Sequence, residues 1–156
     1  MEQITQVFAE EGKQEIMVTR EFDLPLDLLF IAFTKPEIVE QWMGTRVLKL
    51  DCRKHGSYQF ETIDPTGQKH GFNGTIHAYE HNKQIIRTFE MEGTGFPVHL
   101  EYLSFEQLTA EKSKLTMHVV YKSVADRDNV LQLPFRRGIN MAHNTLQKVV
   151  ERLKIN

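Results

Sequence analysis

Residues 134–153, PFRRGINMAHNTLQKVVERL, decide the fold of this chain. At 100° per residue, an α-helix would collect their apolar side chains on one face and most of their polar side chains on the other. The apolar face consists of Phe135, Ile139, Ala142, Leu146, Val149, Val150 and Leu153. Such a stripe is about 140° wide, which suits packing against a sheet and is wider than the apolar seam of a coiled coil. Because the N-terminal half carries the small residues Gly138 and Ala142, we expect a cavity beneath that half.

The residues before this helix predict an antiparallel sheet, because alternating apolar and polar side chains occur in segments joined by short turns. Strands are predicted at residues 13–23, 46–52, 56–63, 69–79, 84–92 and 98–108, and finally along Leu115, Met117, Val119 and Tyr121. Gly71 and Gly74 predict a bulge or a bend in the fourth of these strands, within a curved sheet. In residues 98–108, we expect Val98, Leu100 and Tyr102 on one face of the strand. After a register shift, Leu103 and Phe105 are expected on the other face.

Two short helices are predicted after the first strand, at residues 26–33 and 35–42. The segment Thr34-Lys35-Pro36-Glu37 has the pattern of a capping box, with Thr34 as N-cap and Glu37 reaching back to it. Segregated strands and helices predict the α+β class, with about six or seven strands and a long C-terminal helix. We assign residues 13–156 to a single domain and residues 1–12 to a flexible lead-in.

Composition gives no indication of a nucleic-acid or membrane partner. The 19 Lys and Arg residues are balanced by 21 Asp and Glu residues, and neither a basic run nor a long apolar run occurs. Cys52 is the only cysteine, so an intrachain disulfide cannot form. We expect a cytoplasmic protein.

No sequence motif predicts a catalytic or metal centre. The seven histidines lack the spacing of metal ligands, and neither a nucleophile elbow nor a phosphate-binding loop is found. We therefore expect no metal, no cofactor, and histidines that lie at the surface or bond locally. Glu90, Glu92 and Glu101 are assigned to a solvated sheet face, although an inward carboxylate among them would be a candidate acid or base.

Several short motifs, taken in order, resemble the START-like helix-grip superfamily (SRPBCC), and in particular the branch related to the C-terminal domain of the heat-shock chaperone ATPase activator. The motifs are residues 20–25, residues 32–37, Gln41-Trp42, Asp51-Cys52-Arg53 with Gly56, residues 64–67, and Gly138 with its helix. The resemblance spans residues 13–153. It implies a curved antiparallel sheet that grips the C-terminal helix, with a cavity between them.

The aromatic side chains are the candidate site. They either fill the core or line an apolar pocket in which Tyr58, Tyr102 or Tyr121 would orient a ligand. The candidate ligand-binding residues are Trp42, Tyr58, Phe60, Phe72, Phe89, Tyr102, Tyr121, Phe135, Gly138 and Ala142.

The favoured function is binding of a small hydrophobic or aromatic molecule between the sheet and the C-terminal helix, with at most weak catalysis. One alternative is a module that binds a chaperone or another protein and has a filled interior. A further alternative is a cyclase or hydrolase that uses a Tyr or His in the cavity as acid or base. Fold alone does not choose among these functions.

Overall fold

The computed structural model describes residues 3–155 and confirms the predicted α+β class. Eight strands, more than the six or seven expected, form one antiparallel sheet in the order β1-β2-β8-β7-β6-β5-β4-β3. The strands are β1 (Gln6–Phe8), β2 (Glu15–Phe22), β3 (Arg46–Leu50), β4 (Ser57–Ile63), β5 (Lys69–Glu80), β6 (Gln84–Met91), β7 (His99–Thr109) and β8 (Lys112–Val120). The helices are α1 (Leu26–Thr34), α2 (Pro36–Met43), α3 (Val124–Leu131) and α4 (Phe135–Glu151), and a 3₁₀ turn (Arg152–Ile155) follows α4.

The core lies between the helices and one face of the sheet, which we call the inner face. Alternation places every second side chain of β2 and β8 on this face, including Ile16, Val18, Leu115 and Val119, which are all buried. The helix α4 covers the inner face, where the ring of its His143 meets the ring of Phe22 edge to face at 5.6 Å. The alternation of apolar residues therefore directs one face of β2 and β8 toward the helices.

The segment expected to be a flexible lead-in contains the edge strand β1. Gln6, Val7 and Phe8 pair with Thr19, Val18 and Met17 of β2. The backbone N–H of Thr5 also donates to Asn140 Oδ1 of α4 at 2.9 Å. A strand of three residues is too short to show alternation, which is why periodicity did not predict it. Residues 1 and 2 of the lead-in lie outside the described residues.

Gly74 permits close packing of strands and does not mark the bulge predicted there. The register of β5 against β6 shifts at His77, between Ile76 and Ala78. A Cβ on Gly74 would clash with the carbonyl oxygen of Thr88 and the hydroxyl group of Tyr58. The glycine is therefore needed because the neighbouring strand and a buried tyrosine approach the backbone closely.

The predicted capping role of Thr34 is wrong. Thr34 is the last residue of α1, and its hydroxyl group donates to the carbonyl oxygen of Phe30 at 3.3 Å. The N-cap of α2 is Lys35, which is extended and has no side-chain capping bond. A residue before proline is pushed out of the helical region, so Lys35 rather than Thr34 separates the two helices.

We expect Thr34→Ala to change the free energy of unfolding by less than about 0.5 kcal/mol. Ser123 provides the matched comparison, because its Oγ does cap a helix by accepting from the backbone N–H of Asp126 at 3.1 Å. Ser123→Ala should cost about 1 kcal/mol. Urea denaturation of both variants tests this difference, and equal losses would contradict it.

Candidate functional site

A cavity of about 560 Å³ lies between the inner face of the sheet and the N-terminal half of α4. This volume falls in the range of about 300–1,000 Å³ that is typical of sites for small molecules. Its apolar lining is Phe33, Trp42, Met43, Phe89, Met91, Met117, Val119, Val130, Leu133, Pro134, Phe135, Ile139 and Ala142. Its polar lining is Arg87, His99, Glu101, Tyr121 and His143.

The two halves of α4 pack differently against the rest of the molecule. In the C-terminal half, Leu146 and Val150 are completely buried. In the N-terminal half, Phe135, Ile139 and Ala142 are only half-buried and face the cavity. The helix is therefore anchored by its second half, while its first half forms one wall of the cavity.

Five of the ten candidate ligand-binding residues line the cavity: Trp42, Phe89, Tyr121, Phe135 and Ala142. Trp42 is held in place by its indole N–H, which donates to the carbonyl oxygen of Ala32 at 2.6 Å. Phe89 stacks on His99, with ring centroids 5.1 Å apart. These contacts fix the positions of two large aromatic surfaces in the wall of the cavity.

Three other candidates, Tyr58, Phe60 and Phe72, lie behind the lining and support it. The ring of Tyr58 lies beneath the guanidinium group of Arg87 at 5.1 Å, and its hydroxyl group donates to the carbonyl oxygen of Thr88. Phe60 packs on Tyr58, and Phe72 packs on Phe89. They therefore position residues of the cavity without bordering it.

The expected placement of Tyr102 and Gly138 at the cavity is wrong. Tyr102 lies on the opposite face of the sheet, is 38% exposed, and stacks on His118. Gly138 is exposed, and a Cβ added there would meet nothing within 4 Å. It lies at the edge of the apolar stripe of α4 and faces solvent.

An ion cluster of Arg87, His99 and Glu101 forms the most polar part of the lining. Arg87 Nε donates to Glu101 Oε1 at 2.9 Å, and His99 Nε2 lies 3.0 Å from Glu101 Oε2. Arg87 on β6 is directly opposite Glu101 on β7, and His99 shares the face of Glu101 two residues earlier. The register of two strands therefore assembles the cluster.

Glu101 is ionised despite its burial. Burial raises the pKa of its carboxyl group, but the charge of Arg87 and the hydrogen bond with His99 outweigh this effect and lower the pKa to about 2. A carboxylate with such a pKa is a weak base and is not protonated at neutral pH, so it is unsuited to proton transfer there. Its geometry fits the task of holding Arg87 and His99 in place.

His143 is neutral and almost completely buried in the wall of the cavity. Its Nδ1 lies 2.8 Å from Thr5 Oγ1, and Arg20 Nη1 donates to the same Thr5 oxygen at 3.2 Å. Burial, and after it the nearby charge of Arg20, lower the pKa of the imidazole to about 3. A histidine expected at the surface or in local bonds thus joins α4 to the N-terminal segment.

Tyr121 contributes a hydroxyl group that stays protonated. Burial raises the pKa of this phenol, and the charge of Glu101 raises it further. The ring of Tyr121 lies 5.0 Å from the ring of His99. Within residues 3–155, no hydrogen-bond partner satisfies its hydroxyl group, so the group is available to a molecule in the cavity.

Sequence reasoning missed Arg87, His99 and His143 as site residues and assigned Glu101 to a solvated sheet face, which is wrong because Glu101 is buried and lines the cavity. Strand parity could have placed Arg87, His99 and Glu101. Ile85, Phe89 and Met91 are apolar residues at alternate positions of β6, and Arg87 occupies the position between Ile85 and Phe89 in the same alternation. In β7, the shift expected before Leu103 does not occur, and the register breaks only between Gln107 and Thr109. Glu101 therefore shares the inner face with Leu103 and Phe105.

The described part of the chain gives little support for a reactive thiol or a metal site. Burial raises the pKa of Cys52 to about 11, and its thiol group contacts the carbonyl oxygen of Thr34, so it is an unreactive thiol at neutral pH. Among residues 3–155, no group of three metal-ligating side chains is found. No helix in the same range is long and apolar enough to span a membrane.

Residues 23–151 match the family model described as Activator of Hsp90 ATPase homolog 1-like protein. Similar solved structures include a protein from Rhodobacter sphaeroides with a TM-score of 0.85 and 19% identity, covering 96% of this chain and 99% of that one. Protein Ms6760 from Mycobacterium smegmatis has a TM-score of 0.80 and 20% identity, with 94% and 96% covered. Protein NE0264 from Nitrosomonas europaea has a TM-score of 0.80 and 19% identity, covering 94% of this chain and 100% of that one. No curated protein matches the chain.

Proposed function

The chain belongs to the family of Activator of Hsp90 ATPase homolog 1-like proteins, and we propose that it binds a small hydrophobic or aromatic molecule between the sheet and α4. The observation that carries this proposal is the cavity of about 560 Å³ with its largely apolar lining. Its volume falls within the range of small-molecule sites, and it opens to solvent beside the exposed side chains of Met43 and Leu133. A space of this size therefore suits a ligand better than it suits a core.

The arrangement of polar groups also supports a binding role. Arg87 and Glu101 neutralise each other at the cavity wall, so no isolated charge faces the apolar space. Aromatic surfaces of Trp42 and Phe89 are held by contacts with other protein groups and can stack on a ligand. A few fixed polar groups in an apolar lining are typical of small-molecule sites.

Catalysis has weaker support, although an inward carboxylate and histidine are present. The low pKa of Glu101 removes it as a general acid at neutral pH. The protein-docking alternative assumed a filled interior, which the cavity does not favour. Protein docking alone would leave the cavity without an occupant, whereas ligand binding gives it one.

Ala142→Phe is expected to abolish ligand binding while leaving the protein folded, because the added ring would occupy the cavity. A panel of aromatic hydrocarbons, aryl ketones and fatty acids should first identify ligands of the wild type. At 100 times its dissociation constant, a ligand adds about 2.7 kcal/mol of stability, which corresponds to a rise in melting temperature of about 5–10 °C. In Ala142→Phe the rise should vanish.

Met141→Phe serves as the matched control. Met141 neighbours Ala142 on α4 but is 56% exposed, so the same aromatic ring should point to solvent and leave the ligand response intact. The proposal fails if two results occur together. No panel compound stabilises the wild type, and Ala142→Phe lowers the free energy of unfolding by about 1–3 kcal/mol, which is typical of overpacking a filled core. That outcome would favour the protein-interaction module.

A further inference from the structure

We propose that His143 presents a fixed Nε2–H donor to the cavity and thereby selects ligands that carry an uncharged oxygen acceptor, such as an aryl ketone. This inference rests on the proposed function, because it names the chemical class of the molecule bound there. It concerns a histidine that the sequence did not single out, and a threonine from the N-terminal segment that controls it.

The hydrogen bonds around Thr5 determine which nitrogen of His143 carries the proton. Arg20 can only donate, so Thr5 Oγ1 accepts from Arg20 Nη1 at 3.2 Å. The hydroxyl group has one hydrogen of its own, and the acceptor it reaches is His143 Nδ1, at 2.8 Å. Nδ1 is therefore the acceptor, and in a neutral imidazole the proton must then lie on Nε2.

The environment of the imidazole keeps it neutral. The ring is 2% exposed, and the guanidinium group of Arg20 lies one hydroxyl group away. A second positive charge beside Arg20, in a buried site, would be unfavourable. An imidazolium would also direct an N–H toward a hydroxyl group whose own hydrogen would then lose its acceptor.

The Nε2–H group faces the cavity. His143 lines the cavity, and within residues 3–155 no hydrogen-bond partner is found for its Nε2. This nitrogen is also not among the fully occluded polar atoms that lack a partner, so it retains contact with open space. The space that His143 borders is the cavity, which leaves the donor for a bound molecule.

The remaining polar groups favour an uncharged ligand. Glu101 already balances Arg87 and contacts His99 through its second oxygen, so a cationic ligand would find no free carboxylate. An anionic ligand would place a second negative charge near Glu101 in an apolar space. The hydroxyl group of Tyr121 supplies a further donor in the lining. The site therefore offers hydrogen-bond donors rather than net charge.

The tautomer can be tested without any ligand. A long-range ¹H–¹⁵N correlation spectrum of the histidine rings at neutral pH reports which nitrogen is protonated, and His143→Phe identifies the signals of His143 by their loss. We expect protonated Nε2 and unprotonated Nδ1. A protonated Nδ1 would overturn the inference and would leave the proposed function untouched.

Selectivity is tested with benzophenone and diphenylmethane, which have similar shapes and differ in the ketone oxygen. The ratio of their dissociation constants is compared between wild type and His143→Phe, so that the difference in hydrophobicity cancels. One lost hydrogen bond should weaken the relative affinity for benzophenone about 3- to 10-fold. His143→Gln retains an N–H donor near the position of Nε2 and should restore the preference, at least in part.

The outcomes separate the two proposals. If both probes bind and the ratio of their dissociation constants is the same in His143→Phe as in the wild type, the proposed selectivity is overturned. The cavity would then remain a ligand site. Failure of both probes to bind the wild type contradicts ligand selection and counts against the proposed function as well. If His143→Phe does not fold, the loss of ring signals in His143→Gln assigns those of His143, and the spectrum of the wild type still decides whether Nε2 carries the proton.

Discussion

Glu101→Gln is expected to lower the free energy of unfolding by about 3–5 kcal/mol. The carboxylate is 9% exposed and bonds both Arg87 and His99 within the cavity wall. Removing its charge leaves the guanidinium group of Arg87, which is 11% exposed, without its counter-ion. A buried charge without a partner costs more than the pair contributed, because its desolvation is no longer offset.

Urea denaturation at neutral pH measures this loss, and Glu106→Gln is the matched control. Glu106 lies on the same strand but is exposed, so its substitution should change stability by less than about 0.5 kcal/mol. A double variant, Arg87→Met with Glu101→Leu, should recover most of the loss because it removes both charges. Equal stability of wild type and Glu101→Gln would show that the cluster contributes nothing to the fold.

Acid is expected to destabilise the protein through His143, starting below pH 6.5. The pKa of His143 is about 3 in the folded protein and about 6.5 in an unfolded chain. Between these values the unfolded chain binds a proton that the folded protein excludes, so the stability present above pH 6.5 is lost as the pH falls. The slope is about 1.4 kcal/mol per pH unit.

The comparison with His143→Phe isolates this contribution from the other histidines. Between pH 7.5 and 5, the wild type should lose about 2 kcal/mol more than the variant. Glu101 adds its own loss only below about pH 4.5, since its pKa is lowered and not raised. Parallel stability curves for the two proteins over this range would contradict a neutral, buried His143.

Periodicity predicted most of the fold, because the buried residues of the long strands and of α4 recur at the spacing of a strand or a helix. The strands β2 and β8 and the stripe of α4 follow alternation or helical spacing closely, with Ile16, Leu115 and Leu146 at the centre of the core. The strand β1 is too short to have a period. Thr34 has the sequence pattern of a cap but ends the preceding helix, since proline at position 36 forces Lys35 to be extended.

The site was harder to predict, because its polar residues are buried only by virtue of partners far away in sequence. Arg87 and Glu101 occupy apolar positions of their strands and are tolerated there because they meet across the register. His143 is buried because Thr5, 138 residues away, supplies its hydrogen bond. Aromatic residues alone indicated a pocket, but only the pairing of strands separates Phe89 in the lining from Tyr102 on the opposite face.

The central claim, that a small molecule binds between the sheet and α4, is tested most directly by isotope-filtered nuclear Overhauser measurements on a complex with benzophenone. Methyl groups of Met117, Val119 and Ala142 surround the cavity and should show cross-peaks to the aromatic protons of the probe. Ile4 and Leu48 are 70% and 50% exposed and should show none. Cross-peaks confined to such exposed methyl groups, with the cavity methyl groups silent, would contradict the claim.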